Sequence, residues 1–242
     1  MTKVGFLGAL LTVLACIALV KLGLWQLDRA EEKRHWMAQL EQRGTQTLDW
    51  PLSGEELTGY RLSVEGYWLP QHALLLDNQV WEGRVGYRWL VPVQIHEASP
   101  WLLVDLGFVT APRHRQALPE LPTLPTQSAL VGRLRQPGAN RLSSRLSPER
   151  VEPSAPLRVQ ALNWTELSAL WQHPVVPALL WLQQPAELGF ERPWQPINLA
   201  PEKHQAYALQ WFSLAAACLV IALVVARRRG LHAIGAADNL NT

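Results

Sequence analysis

Two long uncharged runs frame the chain, and the pattern between them is of a different kind. Residues 206–226 contain no charged side chain. At about 1.5 Å per residue, a helix over them reaches about 31 Å, enough to cross the apolar core of a bilayer. Its two ends differ. Tyr207, Trp211 and Phe212 gather at the N-terminal end, where amphipathic rings favour the headgroup layer. Arg227, Arg228 and Arg229 stand at the other, as a stop-transfer signal does on the cytoplasmic side. The second run covers residues 4–20 and is closed by Lys21 and Trp25; a lysine there can reach back to the interface. A cleaved signal peptide would need a small-x-small site and a polar stretch soon after, but the run continues through residues 17–24. Val13, Leu14, Ala15 and Cys16 loosely resemble a lipoprotein cleavage site, yet Leu14 is bulky there and the residues after Cys16 are apolar. The reading is an uncleaved first transmembrane helix over residues 4–25.

Past this point the periodicity changes twice. Residues 24–43 are rich in Gln, Glu, Lys, Arg and Leu, all good helix formers. The first helix is therefore expected to continue out of the membrane, with Glu31, Glu32, Lys33 and Arg34 on a solvated face and Gly44 as its stop. From residue 60 onward, apolar and polar positions alternate as in half-buried strands. Strands are expected over 60–65, 73–79, 85–95 and 101–110, and their short connections favour an antiparallel meander. Pro92 within the third implies an edge or a bulge. Pro112, Pro119, Pro122 and Pro125 make residues 111–127 an extended, exposed loop. Further strands are expected over 129–135, 157–162 and 178–184. Asn163 with Glu166 has the spacing of a helix N-cap. The helix 164–172 then comes next, with Trp164, Leu167 and Trp171 on one face. The fold class is a membrane protein of α+β type: two transmembrane helices flanking one external domain. That domain is mostly antiparallel β, barrel- or sandwich-like, with a few helices.

Composition changes the picture in three places. Among 242 residues, two spans leave roughly 180 between them, enough for one domain with a proper core. The net charge of +2 gives no nucleic-acid reading and no reason to expect an acidic substrate. Arg133, Arg135, Arg141, Arg145, Arg150 and Arg158 make one stretch basic, read as solvated, with a headgroup- or partner-facing patch as the alternative. The 12 tryptophans suit both a domain lying against a membrane and a Trp-rich core. The two cysteines, Cys16 and Cys218, lie inside the apolar runs and cannot staple the domain between them.

Two spans put both termini on one side, and the triple arginine places that side in the cytoplasm. The expected organisation is a first transmembrane helix over 4–25, a periplasmic domain over 26–205, a second helix over 206–226 and a cytoplasmic tail over 227–242. The first span begins almost at Met1, which leaves no room for a transit peptide. The expected home is a bacterial plasma (inner) membrane. Gly5 with Ala9, and Ala222 with Ala226, are small-xxx-small pairs at matching depths through which the helices could pack; alanine is also simply common in such helices.

No catalytic motif is visible. The seven histidines make no i, i+3 or i+4 pair. No nucleophile elbow, zinc-protease helix or phosphate-cradling loop occurs. This favours binding or assembly over catalysis.

Several stretches carry a resemblance. Leu22, Gly23, Leu24, Trp25, Gln26, Leu27, Asp28 and Arg29 look like the opening signature of the Surfeit locus protein 1 family. Leu75, Leu76, Asp77 and Asn78 with Gly83, Gly86 and Tyr87 resemble its first central motif, and Val104 followed by Asp105, Leu106, Gly107, Phe108 and Val109 its second. Phe108 stands where that family usually has Trp, and Asp105 and Leu106 where it has Asn and Arg. Val131, Gly132, Arg133, Leu134 and Arg135 match a later motif, as do His204, Tyr207, Ala208, Trp211 and Phe212. The resemblance implies a non-enzymatic assembly factor, or chaperone, for a haem-copper terminal oxidase, chiefly cytochrome c oxidase. Its implied partners are the oxidase's catalytic subunit, the lipid bilayer and haem a synthase. It implies haem a as a candidate cofactor, with His204 as metal ligand; Tyr207 and Trp211, further along the same helical face, could wall the macrocycle or serve as a plain interfacial belt. Ala208 would leave space for the ring, and Lys203 could meet a propionate. The competing expectation is a membrane-anchored adaptor that binds oxidase subunits without haem.

Overall fold

The computed structural model describes residues 3–114, 117–137, 145–152, 155–196 and 199–238. The elements run α1 (Lys3–Arg43), β1 (Thr47–Leu48), β2 (Arg61–Trp68), β3 (Leu74–Trp81), β4 (Arg84–Gln94), β5 (Trp101–Thr110), β6 (Gln127–Arg135), β7 (Leu157–Val159), α2 (Trp164–Trp171), β8 (Val175–Gln184) and α3 (Pro201–Asp238). The chain divides into two compact units, one made of Met1–Met37 with Ile197–Thr242 and the other of Ala38–Pro196.

The helical unit contains two stretches long and apolar enough to span a bilayer, Gly5–Arg43 and Pro201–Arg228, each with a best-window mean hydropathy of 2.3. Little of that surface is buried within the protein, so a bilayer is its natural solvent. As expected, α1 runs without a break to Arg43, and Gly44 closes it with a hydrogen bond from its N–H to the carbonyl of Leu40 at 3.0 Å.

The two helices of this unit meet along a regular seam. On α1 exposure is lost at Thr12, Cys16, Leu19, Gly23 and Gln26. On α3 it is lost at His204, Ala208, Trp211, Ala215, Cys218 and Ala222. Both series alternate steps of four and three, the 3.5-residue period of a coiled-coil stripe. The seam is antiparallel: Gln26 meets His204, Gly23 meets Phe212, and Cys16 Sγ lies 3.9 Å from the Ala215 carbonyl. Of the two small-residue pairs, Ala222 lies on the seam and Gly5 is half-buried, while Ala9 and Ala226 are exposed. Gly23, Ala208 and Ala215 supply the close approach. A Cβ on Gly23 would lie 2.5 Å from the Phe212 ring.

The β unit is a closed five-stranded barrel with three extra strands, of which β1 adds in parallel to β2. Around the ring, β2 pairs with β6, β6 with β8, β8 with β5, β5 with β4, and β4 returns to β2 through Tyr67 opposite Gln94 and Trp68 opposite Val93. β3 adds to β4, and β7 adds to β3. Of the expected meander, antiparallel β3–β4–β5 is present, but its first strand is not next to its second: β2 pairs with β6 and β4 instead of β3. β5 and β8, however, run parallel, which requires the intervening chain to cross over. Pro92 marks where β4 changes partner. Its pairing with β3 ends at Leu90 and its pairing with β2 begins at Val93, so the missing N–H of Pro92 leaves no ladder position empty.

Strand alternation sorts the core into two layers. Tyr87, Trp89, Val91, Val104, Leu106 and Leu180 point into the barrel with Leu62, Leu130 and Leu134. Leu74, Leu90, Leu103 and Leu179, on the opposite pleats, pack outside it with Leu167 of α2. α2 forms as expected. The Asn163 side chain accepts the Glu166 N–H at 3.1 Å, and Trp164 and Trp171 lie against the same outer layer as Leu167. Trp68, Trp89 and Trp181 are buried in the barrel unit, as the Trp-rich-core reading expects.

Two expectations are corrected. The proline-rich stretch 111–127 is not simply exposed: Leu118, Leu121 and Leu124 pack against the barrel core. Their spacing of three is that of an extended polyproline-type chain, which can lay one edge on a surface. Nor is the basic stretch wholly solvated. Arg158 is buried and paired with Glu149 at 2.7 Å, and Arg133 and Arg135 are half-buried on the barrel wall. Arg141 lies outside the described residues.

Candidate functional site

His204 stands in the first turn of α3, which begins before residue 206. Its ring is half-buried, and Nδ1 lies 2.7 Å from Gln26 Oε1. An amide oxygen only accepts, so Nδ1 carries the proton and donates. A ring protonated only at Nδ1 has its lone pair at Nε2, and Nε2 has no partner among the described residues. Tyr207 is exposed and Trp211 half-buried, three and seven residues further along the same helix. Ala208 is buried in the seam, so it does not open space for a ligand as expected. Lys203 is exposed. Among the described residues no group of three or more His, Cys, Asp or Glu could hold a metal ion; a metal at His204 would have to bring its other ligands with it.

A second constellation lies on the outside of the barrel. Asp105 of β5 is fully buried, and Arg88 of β4 grips it through two close contacts, Nε to Oδ2 at 2.6 Å and an Nη to Oδ1 at 2.7 Å. Asp105 Oδ1 also accepts the Gly107 N–H at 3.0 Å. Gly107 has φ +107°, and any Cβ there would strike the Phe190 carbonyl, so only glycine lets residues 189–194 lie across β5. Trp181 of β8 stands in register between Asp105 and Arg133 of β6. The Arg88 guanidinium lies 4.0 Å from its ring centre and that of Arg135 5.3 Å. Trp194 meets Trp181 edge-on at 5.7 Å and carries Arg133 at 5.6 Å.

Residues 189–194 are held by a third arginine. Arg192 donates to the carbonyls of Leu182, Phe190, Pro185 and Ala186, and Trp181 Nε1 donates back to the Arg192 carbonyl at 2.7 Å. Burial pushes Arg135 below the ordinary arginine range; Asp105 opposes the shift and Arg88 adds to it. Arg192 is lowered for the same reasons, burial first.

The sequence profile of the SURF1 family matches residues 13–216. The chain belongs to the SURF1 family. No curated protein matches it. The SURF1 match runs from α1, through the whole barrel, to the first four turns of α3. It takes in both constellations, and the stretches that carry the resemblance supply Gln26 and His204 of the first and part of the second. Gln26 and His204 come from the opening and closing stretches; Asp105, Gly107, Arg133 and Arg135 come from the central ones.

Four residues of these constellations escaped the sequence reading as functional candidates. Gln26 was visible only as part of a signature, although its place in the series Cys16, Leu19, Gly23 would have put it on a helical seam. Arg88 and Asp105 are opposite charges in two adjacent apolar strands, which was a signal for a buried pair. Trp181 had no signal of its own.

Proposed function

We propose that this protein assists assembly of a haem-copper terminal oxidase of the cytochrome c oxidase type, by presenting haem a to the catalytic subunit at the membrane surface. In this reading His204 Nε2 ligates the iron, and Tyr207 and Trp211 wall the macrocycle. The observation that carries it is the hydrogen bond from His204 Nδ1 to Gln26 Oε1. Such a partner holds the tautomer and aims the ring, as carboxylates and carbonyls do behind metal-bound histidines. The haem would be cargo: His204 Nε2 would hold its iron, and Gln26 would orient the ring by holding the proton on Nδ1. Partners in this reading are the oxidase catalytic subunit and haem a synthase. The barrel lies in the periplasm of a bacterium, both termini are cytoplasmic and the protein performs no catalysis. A second reading, an adaptor that binds oxidase subunits without haem, is supported by the arginine–tryptophan wall, which needs no cofactor.

Co-expression with the enzymes that make haem a, followed by the Soret spectrum of the purified protein, tests the proposal. The parent is expected to carry haem. His204→Ala is expected to lose it, and Gln26→Ala to weaken retention by about 10–100-fold. Equal haem and an unchanged spectrum in His204→Ala would exclude this histidine as the ligand. A parent without haem under those conditions would leave the adaptor reading.

A further inference from the structure

The wall around Trp181 is over-supplied with positive charge. Arg88 and Arg135 approach the same indole ring, and Arg192 lies close enough to feel both Asp105 and Arg88. The buried carboxylate beside them, Asp105, has both oxygens taken by Arg88. The four carbonyls of residues 182–190 occupy Arg192. Among the described residues Arg133 has one ion-pair partner, Glu41, at 3.7 Å and itself largely exposed. Arg135 has no ion pair and no hydrogen bond among the described residues, yet it is half-buried. A guanidinium offers five N–H donors in a fork that fits a carboxylate. Here none of the five is used. Holding such a group partly out of water beside a second arginine is unfavourable unless an anion completes it.

Beside the wall lies a cleft of about 620 Å³, whose lining includes Trp181, Ala186, Phe190 and Trp194 together with the charged residues Glu191 and Arg192. It is mostly apolar, and it lies within the size range that holds small ligands or a few side chains. Cation and cleft share Trp181 as a common wall.

We propose that Arg135 and the neighbouring Trp181–Trp194 cleft form a docking site for an acidic segment of a partner protein, with a carboxylate on Arg135 and an apolar side chain in the cleft. Charge complementarity selects the occupant: an unpaired guanidinium next to an apolar recess fits a segment in which Asp or Glu alternates with a large apolar residue. Complementary charge of this kind governs encounter and register, and desolvated Arg and Trp are the residues that most often dominate binding energy at interfaces. The site is independent of haem at His204, so either proposal can fail alone.

The test uses the full chain in phosphatidylcholine nanodiscs and a fluorescein-labelled pentapeptide amide, Glu-Phe-Glu-Phe-Glu, against its Gln-for-Glu counterpart, read by anisotropy. The acidic peptide is expected to bind at least tenfold tighter than the amide peptide, and its affinity to fall as salt rises. Arg135→Met, which keeps apolar bulk over Trp181, is expected to lower that affinity at least fivefold. Arg135→Lys should fall between, because a lysine keeps the charge but not the fork. Arg61→Gln, an exposed change on β2, should leave it unaltered. Equal affinity for the two peptides overturns the proposal, as does full affinity in an Arg135→Met protein whose circular dichroism matches the parent. Loss of peptide binding in phosphatidylglycerol nanodiscs alone would assign the wall to lipid headgroups and equally overturn it.

Discussion

Removing the Asp105 carboxylate should destabilise the barrel through Arg88 rather than through Asp105 itself. In the parent the pair is bidentate, at 2.6 and 2.7 Å, with Asp105 fully buried and the Arg88 side chain 15% exposed. Asp105→Ala leaves the guanidinium in place with no anion, and removing one partner of a buried pair costs about 3–5 kcal/mol. Arg88 keeps some exposure and its stack on Trp181, so the low end, about 3 kcal/mol, is expected. For a domain of this size that is a fall in melting temperature of about 6–12 °C. The double variant Asp105→Ala with Arg88→Met removes both charges and should recover most of the loss. A deficit of about 1 kcal/mol should remain, because the Gly107 N–H has lost its acceptor. The assay is thermal melting of the detergent-solubilised protein, followed by near-ultraviolet circular dichroism, for parent, both single variants and the double. An Asp105→Ala protein that melts within a degree of the parent would refute the reasoning. So would a double variant no more stable than Asp105→Ala alone.

Gly23→Leu should spread the helical seam, since its side chain would overlap the Phe212 ring, at a cost of about 1–3 kcal/mol for overpacking. The expected readout is several-fold faster maleimide labelling of Cys16 and Cys218, which are half-buried in that seam; unchanged labelling would count against it. Burial lowers His72 below its ordinary value of 6.5, where it lies 4.8 Å from Trp101 and 5.9 Å from Trp171. The folded state then binds the proton less readily than the unfolded state. The contribution of His72 is complete above pH 6.5 and is lost as pH falls through the lower folded value. His72→Phe should flatten the melting temperature across that interval, and an unaltered acid limb would show that another group governs it.

What the sequence determined by itself is what a side chain's immediate neighbours along the chain reveal. An uncharged run ended by three arginines reads as a span because its length and flanks answer directly to bilayer thickness and headgroups. The continuation of α1 to Arg43 was legible from residues with high helix propensity ending at a glycine. β5 (Trp101–Thr110) was legible to the residue, and Asn163 with Glu166 announced α2. Partnership was not legible, because alternation records only that one face is covered and never by what. A barrel and a sandwich impose the same period of two. Only the return of β4 to β2 across Pro92 decides for the barrel, and only the parallel pairing of β5 with β8 brings Trp181 beside Asp105. Gln26 and His204 are 178 positions apart, and no local pattern specifies that their side chains meet. Residues that hold a ring tautomer or neutralise a buried cation act through such long-range contacts, so their roles emerge with the tertiary structure, where the chain's energy is decided by what each polar group finds when water is removed.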